Sequence, residues 1–119
     1  MTTMEEFCKV VIVDDERTAI EDLLRELACY PEMSVKGTAA NGVKGRKLIM
    51  EQRPDLLFLD VELPDVQGIR LLSEMREEVT WDMKVVFYTA YDKYLLQALR
   101  ESAFDYLLKP FQAEEWKVI

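Results

Sequence analysis

The feature that most constrains this chain is an alternation. Short runs of β-branched and aromatic residues are each followed by a segment whose apolar residues recur at helical spacing. The first run, CKVVIV at Cys8–Val13, is bounded by charge and reads as a buried strand. Residues 17–29 follow, with Ile20, Leu23, Leu24 and Leu27 on one face of an amphipathic helix that Pro31 ends. Residues 33–39 read as a second strand. Asn41 and Gly42 punctuate the chain before a helix over residues 43–52, which Gly42 and Gly45 weaken, an interior glycine costing about 1 kcal/mol. After Pro54, DLLFL at residues 55–59 is a third strand. A loop with Pro64 and Gly68 leads into a helix carrying Ile69, Leu72 and Met75. KVVFY at residues 84–88 is a fourth strand, and Asp92 is expected to cap a helix carrying Leu95, Ala98 and Leu99. FDYLL at residues 104–108 is a fifth strand, and residues 112–119 begin a last helix. Five strand–helix units in order predict an α/β fold, a doubly wound five-stranded parallel sheet with helices on both faces.

Length and composition bound what such a fold does. With 119 residues, half of them hydrophobic, the chain suffices for one domain. No apolar run approaches the roughly 20 residues that cross a bilayer, and residues 1–6 lack the pattern of a secretory signal. Cys8 and Cys29 make no disulfide framework. In apolar surroundings they read as reduced, buried thiols, with the cytoplasm as the default compartment. A net charge of −8 without clustered Lys and Arg argues against direct contact with a nucleic-acid backbone.

In an open parallel sheet, ligands bind beyond the carboxyl ends of the strands. The residues there form one set: Asp14, Asp15 and Glu16 after the first strand, Asp60 after the third, Thr89 after the fourth, and Lys109 with Pro110 after the fifth. Clustered carboxylates repel one another unless a cation sits among them. Mg²⁺ suits such a site, being satisfied by a few carboxylates, water and a phosphate. The chain has no His, and nothing favours zinc. One carboxylate can then attack phosphorus and become an acyl phosphate. Thr89 and Lys109 offer a hydroxyl and an ammonium to the phosphoryl oxygens.

The quoted motifs are VDDE at residues 13–16, LDVELPDVQG at residues 59–68, TA at Thr89 and Ala90, and KP at Lys109 and Pro110. In this order the chain resembles, over nearly its full length, the receiver (CheY-like) domains of bacterial two-component response regulators. The resemblance implies the flavodoxin-like strand order 2-1-3-4-5. It implies phosphorylation of Asp60 by a sensor histidine kinase, and Mg²⁺ held by Asp14, Asp15, Asp60 and the backbone carbonyl of Glu62. Thr89 and Lys109 would contact the phosphoryl group, and the bond before Pro110 would be cis. Thr89 and Tyr106 would form the switch, acting on a surface made by the fourth helix, fifth strand and fifth helix, near which Tyr94, Leu95 and Trp116 fall, though helix stripes of this kind are more often core. The stretch over residues 89–111 further resembles receivers joined to LytTR-type DNA-binding domains. On that reading the chain is a fragment, a receiver domain over residues 1–119 whose output domain is absent. DNA would be reached only through that domain, and homodimerisation on activation is an open option.

Glu62, two residues past Asp60, adds a charge beside the acceptor, and Tyr91, two past Thr89, is bulky enough to screen an acyl phosphate from water. These two are expected to tune its lifetime. Read singly, each residue has a plainer role: Asp14 as a cap or loop residue, Thr89 as packing, Tyr106 as a static strand aromatic. Three other functions compete. A small phosphohydrolase using Asp60 as nucleophile would need a second Asp where Glu62 stands, and a cap. A flavodoxin-like cofactor binder would need a Ser, Thr and Gly-rich first loop where DDE stands. A phosphate-independent interaction domain would not need the full set.

Overall fold

Val10, Val11, Ile12 and Val13 of strand β1 (Cys8–Val13) are all fully buried. Successive residues of a strand point to opposite faces, so both faces of the sheet must be covered. The computed structural model describes residues 8–101 and 103–111. After β1 come α1 (Arg17–Leu27), β2 (Met33–Ala39), α2 (Gly42–Gln52), β3 (Leu56–Leu59), α3 (Gly68–Met75), β4 (Lys84–Thr89), α4 (Leu95–Arg100) and β5 (Asp105–Leu108). The strands pair in parallel in the order β2-β1-β3-β4-β5, the doubly wound arrangement expected from the alternation.

Two cores flank the sheet. On one face, Ala19, Leu23 and Leu27 of α1 meet Val10, Ile12, Phe58, Val86 and Tyr88. On the other, Ile49 of α2, Ile69, Leu71 and Met75 of α3, and Ala98 of α4 meet Val11, Val13, Leu57, Leu59, Val85 and Phe87. Among the described residues no helix is long and apolar enough to cross a membrane.

Several local expectations need correction. Helix α1 stops at Leu27 rather than residue 29, because the amides of Cys29 and Tyr30 bond three residues back, to Glu26 and Leu27, and tighten the chain into a turn. That turn leaves Cys29 exposed and Cys8 is only half-buried, so the two free thiols are not core residues. The Asp92 side chain does not cap α4. Its backbone carbonyl accepts from the Leu95 amide at 3.2 Å instead. Helix α4 has only six residues and buries Ala98 alone, which leaves Leu95, expected in the core, 45% exposed and Leu99 60% exposed. Gly45 is a packing residue: a Cβ there would lie 2.8 Å from Val13 Cγ1, so α2 rests directly on the end of β1. The expected last helix and Trp116 lie outside the described residues.

Candidate functional site

The sheet's hydrogen-bond ladder runs one residue beyond the strands and places the site. The Asp14 amide donates to the Ala39 carbonyl at 2.9 Å, that of Asp60 to Val13 at 3.0 Å, and that of Lys109 to Thr89 at 2.8 Å. Gly68, opening α3, closes over the acceptor strand. Its amide donates to the Val61 carbonyl at 2.6 Å, and a Cβ there would fall 2.1 Å from the Asp60 backbone oxygen. Only glycine permits that approach.

Asp14, Asp15 and Asp60 each present a carboxylate oxygen within 4.8 Å of the others. Asp14 and Asp60 are buried, at 1% and 6% exposure, while Asp15 is exposed. The Lys109 ammonium sits among them, 2.9 Å from Asp14 Oδ2, 3.0 Å from Glu16 Oε1 and 3.2 Å from Asp60 Oδ2. Burial pushes the Asp14 carboxyl up to about 6, against the pull of Lys109 and the Glu16 amide. Burial also raises Asp60, again opposed by Lys109. For Lys109 burial acts downward, but its carboxylate partners outweigh it and hold the ammonium above its ordinary value. Asp14 Oδ1 accepts from the Glu16 amide at 2.9 Å, whereas the buried Asp14 Oδ2 has no well-directed hydrogen bond and is served only by its ion pair with Lys109. Three carboxylates this close, one with a buried oxygen that only an ion pair serves, and with neither His nor Cys among them, fit a hard divalent cation.

The mouth of the site is a cavity of about 300 Å³ lined by Asp15, Glu16, Asp60, Glu62, Ala90, Tyr91 and Lys109. Glu62 and Tyr91 therefore stand at the rim, as the spacing suggested. The Glu62 amide approaches Asp60 Oδ1 at 3.4 Å, and its side chain accepts from the Tyr94 hydroxyl at 2.5 Å. Tyr91 stacks edge-on against Tyr94, with ring centroids 6.3 Å apart. Thr89 is at the end of β4 but fully buried, and its hydroxyl lies 3.4 Å from the Tyr91 amide, not against a carboxylate or Lys109. Tyr106 is half-buried on β5, tilted against Phe87, and donates its hydroxyl to the Tyr91 carbonyl at 2.5 Å. Burial pushes that phenol up to about 12. The Lys109–Pro110 peptide is cis.

Sequence reasoning does not assign three of these partners. Glu16 shares Lys109, Tyr94 holds Glu62, and Asp65 accepts from the amides of Gly42 and Val43. Each partnership joins residues more than twenty positions apart, so no local pattern announces it.

A parallel 2-1-3-4-5 sheet with an acidic, lysine-bridged pocket at its carboxyl edge defines a class of α/β signalling domain. The sequence model of the response regulator receiver domain matches residues 10–118, and the chain belongs to that family. It is 46% identical over 104 residues to an uncharacterized response regulatory protein of Vibrio cholerae, covering 87% of this chain and 43% of that protein. It is 40% identical over 102 residues to the transcriptional regulatory protein BtsR of Escherichia coli, covering 86% and 42%. The response regulatory domain of mrkE from Klebsiella pneumoniae superposes with a TM-score of 0.82 at 30% identity, over 91% of this chain and 88% of that one. The chain thus spans about two fifths of the length of the curated relatives it matches.

Proposed function

We propose that this receiver domain works as a phosphoacceptor switch with Asp60 as the acceptor. The observation that carries the reading is the Lys109 ammonium held between Asp14 and Asp60 at the carboxyl edge of the sheet, beside the cluster of three carboxylates. An Asp60 oxygen attacks the phosphorus of a phosphohistidine on a sensor kinase. The O–P bond forms as the N–P bond breaks, and the departing imidazole takes up a proton. Asp14, Asp15, Asp60 and the Glu62 backbone carbonyl would hold Mg²⁺, which when bound neutralises charge on the phosphoryl oxygens. Lys109 gives up one carboxylate contact to bond a phosphoryl oxygen. The Thr89 hydroxyl leaves the Tyr91 amide to bond another, and Tyr106, tied to the Tyr91 carbonyl, follows that movement. Glu62 and Tyr91 at the rim set how readily water reaches the acyl phosphate.

In this reading the domain is a stoichiometric switch rather than a turnover enzyme, resident in the cytoplasm. It is the receiver part of a longer transcription regulator of LytTR type, reaches DNA only through that second domain, and is able to homodimerise when activated. The relatives' greater length and the name of one as a transcriptional regulator support the place of this domain in a longer transcription regulator. The test is incubation with Mg²⁺ and a small phosphodonor, read by intact mass. The wild type gains one phosphoryl group and Asp60→Asn gains none. A modification that survives in Asp60→Asn would overturn the assignment.

A further inference from the structure

Asp65 lies midway along the loop of residues 60–67, and its carboxylate reaches out of that loop. Oδ1 accepts from the Gly42 amide at 2.7 Å and Oδ2 from the Val43 amide at 3.0 Å. These amides open α2 and have no intrahelical partner. The helix already has a local cap, since Asn41 Oδ1 accepts from the Lys44 amide at 2.8 Å. The second cap therefore does something that the first does not: it ties α2 to the acceptor loop. The approach is close enough to need glycine, because a Cβ on Gly42 would lie 2.4 Å from Val66 Cγ1. At its far end the loop is shut by the Gly68 amide on Val61 and by a bridge between Glu62 and Gln67.

Helix α2 also rests on the other half of the site. Gly45 packs on Val13, the residue before Asp14, where a Cβ would lie 2.8 Å from Val13 Cγ1. One rigid helix thus touches the strand end that carries Asp14 and Asp15, and the loop that carries Asp60 and Glu62.

We infer that Asp65 is a positioning residue for the acceptor site: through Gly42 and Val43 it uses α2 as a brace that keeps the Asp60 loop in register with Asp14 and Asp15. The inference rests on the proposed use of these carboxylates as a Mg²⁺ site. Linkage makes the effect reciprocal. If the tie favours the loop geometry that binds the cation, then the cation strengthens the tie.

Asn41→Ala is the internal control, since it removes a cap from the same turn of α2 without touching the acceptor loop. The measurement is a MgCl₂ titration followed through the backbone amide NMR signals of Asp60 and Glu62, with helix content checked by circular dichroism. Asp65→Ala is expected to weaken Mg²⁺ binding by about fivefold or more. Asn41→Ala is expected to stay near wild type, and Asp65→Asn, which keeps one acceptor oxygen, to fall between. Amide exchange at Gly42 and Val43 is expected to slow when Mg²⁺ is added to the wild type, a readout that needs no variant and no phosphoryl transfer. Equal Mg²⁺ affinity in Asp65→Ala and Asn41→Ala, or exchange at Gly42 and Val43 indifferent to Mg²⁺ in a wild type that binds it, would overturn this inference alone. A wild type whose Asp60 and Glu62 signals ignore Mg²⁺ would overturn the metal-site reading beneath it.

Discussion

Replacing Asp14 with Asn should stabilise the metal-free domain. Asp14 is 1% exposed, and burial raises its carboxyl from the ordinary 3.8 to about 6 even with Lys109 at 2.9 Å. A folded-state value above the unfolded one means that the folded chain holds a proton between these limits that the unfolded chain has released. The stabilising contribution is complete below about pH 4 and lost as the pH rises through 6. At about 1.4 kcal/mol per pH unit, keeping Asp14 ionised at pH 7 costs the fold roughly 3 kcal/mol. Asn keeps the acceptor for the Glu16 amide and leaves Lys109 with Glu16 and Asp60, but its NH2 then stands where Oδ2 faced the ammonium, so part of the relief is lost. Urea unfolding in EDTA should show Asp14→Asn more stable by about 2 kcal/mol at pH 7, with the difference closing near pH 4. Saturating Mg²⁺ should reverse the order, since a ligand that binds only the folded wild type stabilises it by mass action. A variant no more stable than wild type at pH 7 in EDTA would refute the argument that burial of this carboxylate strains the fold.

Two further outcomes follow from the packing around Asp60. Gly68→Ala drives a methyl to 2.1 Å from the Asp60 carbonyl oxygen, a backbone atom that cannot turn aside, and should cost about 3 kcal/mol in urea unfolding. A loss below about 0.5 kcal/mol would mean that α3 can retreat from the acceptor strand. Tyr91→Ala opens the cavity of about 300 Å³ above Asp60 and should shorten the half-life of the acyl phosphate, followed by intact mass after the donor is removed. An unchanged or longer half-life would remove Tyr91 from any screening role.

The sheet was legible because its central strands are buried on both faces, so β1, β3 and β4 each contain an apolar run of four or more residues, short for a helix. The site was legible for a related reason: the strands fix one edge, and the residue ending each strand must stand there. What sequence could not supply were contacts whose logic is spatial. Gly42 and Gly45 read as flaws in a helix, and propensity does count against them. In space they are the points where α2 meets Val66 and Val13, and the close approach decides. Asp92 resembled a cap, but the chain enters α4 through the Asp92 backbone, and the acidic side chain that does cap a helix is Asp65, which reaches α2 from the loop of residues 60–67. Thr89 was placed at the right strand end, yet its hydroxyl is engaged with the Tyr91 amide, an orientation that no spacing rule predicts.

Geometry also separates the three carboxylates, which composition cannot. Asp14 is almost wholly enclosed and does not line the cavity at the mouth of the site, so an incoming phosphorus has no path to it. Asp15 lines that cavity but is exposed, and an exposed carboxylate on a free rotor loses the advantage of a fixed attack geometry. Asp60 alone combines both requirements. Its backbone is locked by the Val13 carbonyl and the closure of Gly68, its Oδ2 is oriented by Lys109, and its Oδ1 is held only by a long 3.4 Å approach of the Glu62 amide. One oxygen is anchored and the other carries only that long contact. A nucleophilic carboxylate needs that asymmetry, since an oxygen fully satisfied by short hydrogen bonds would have to surrender them before it could attack.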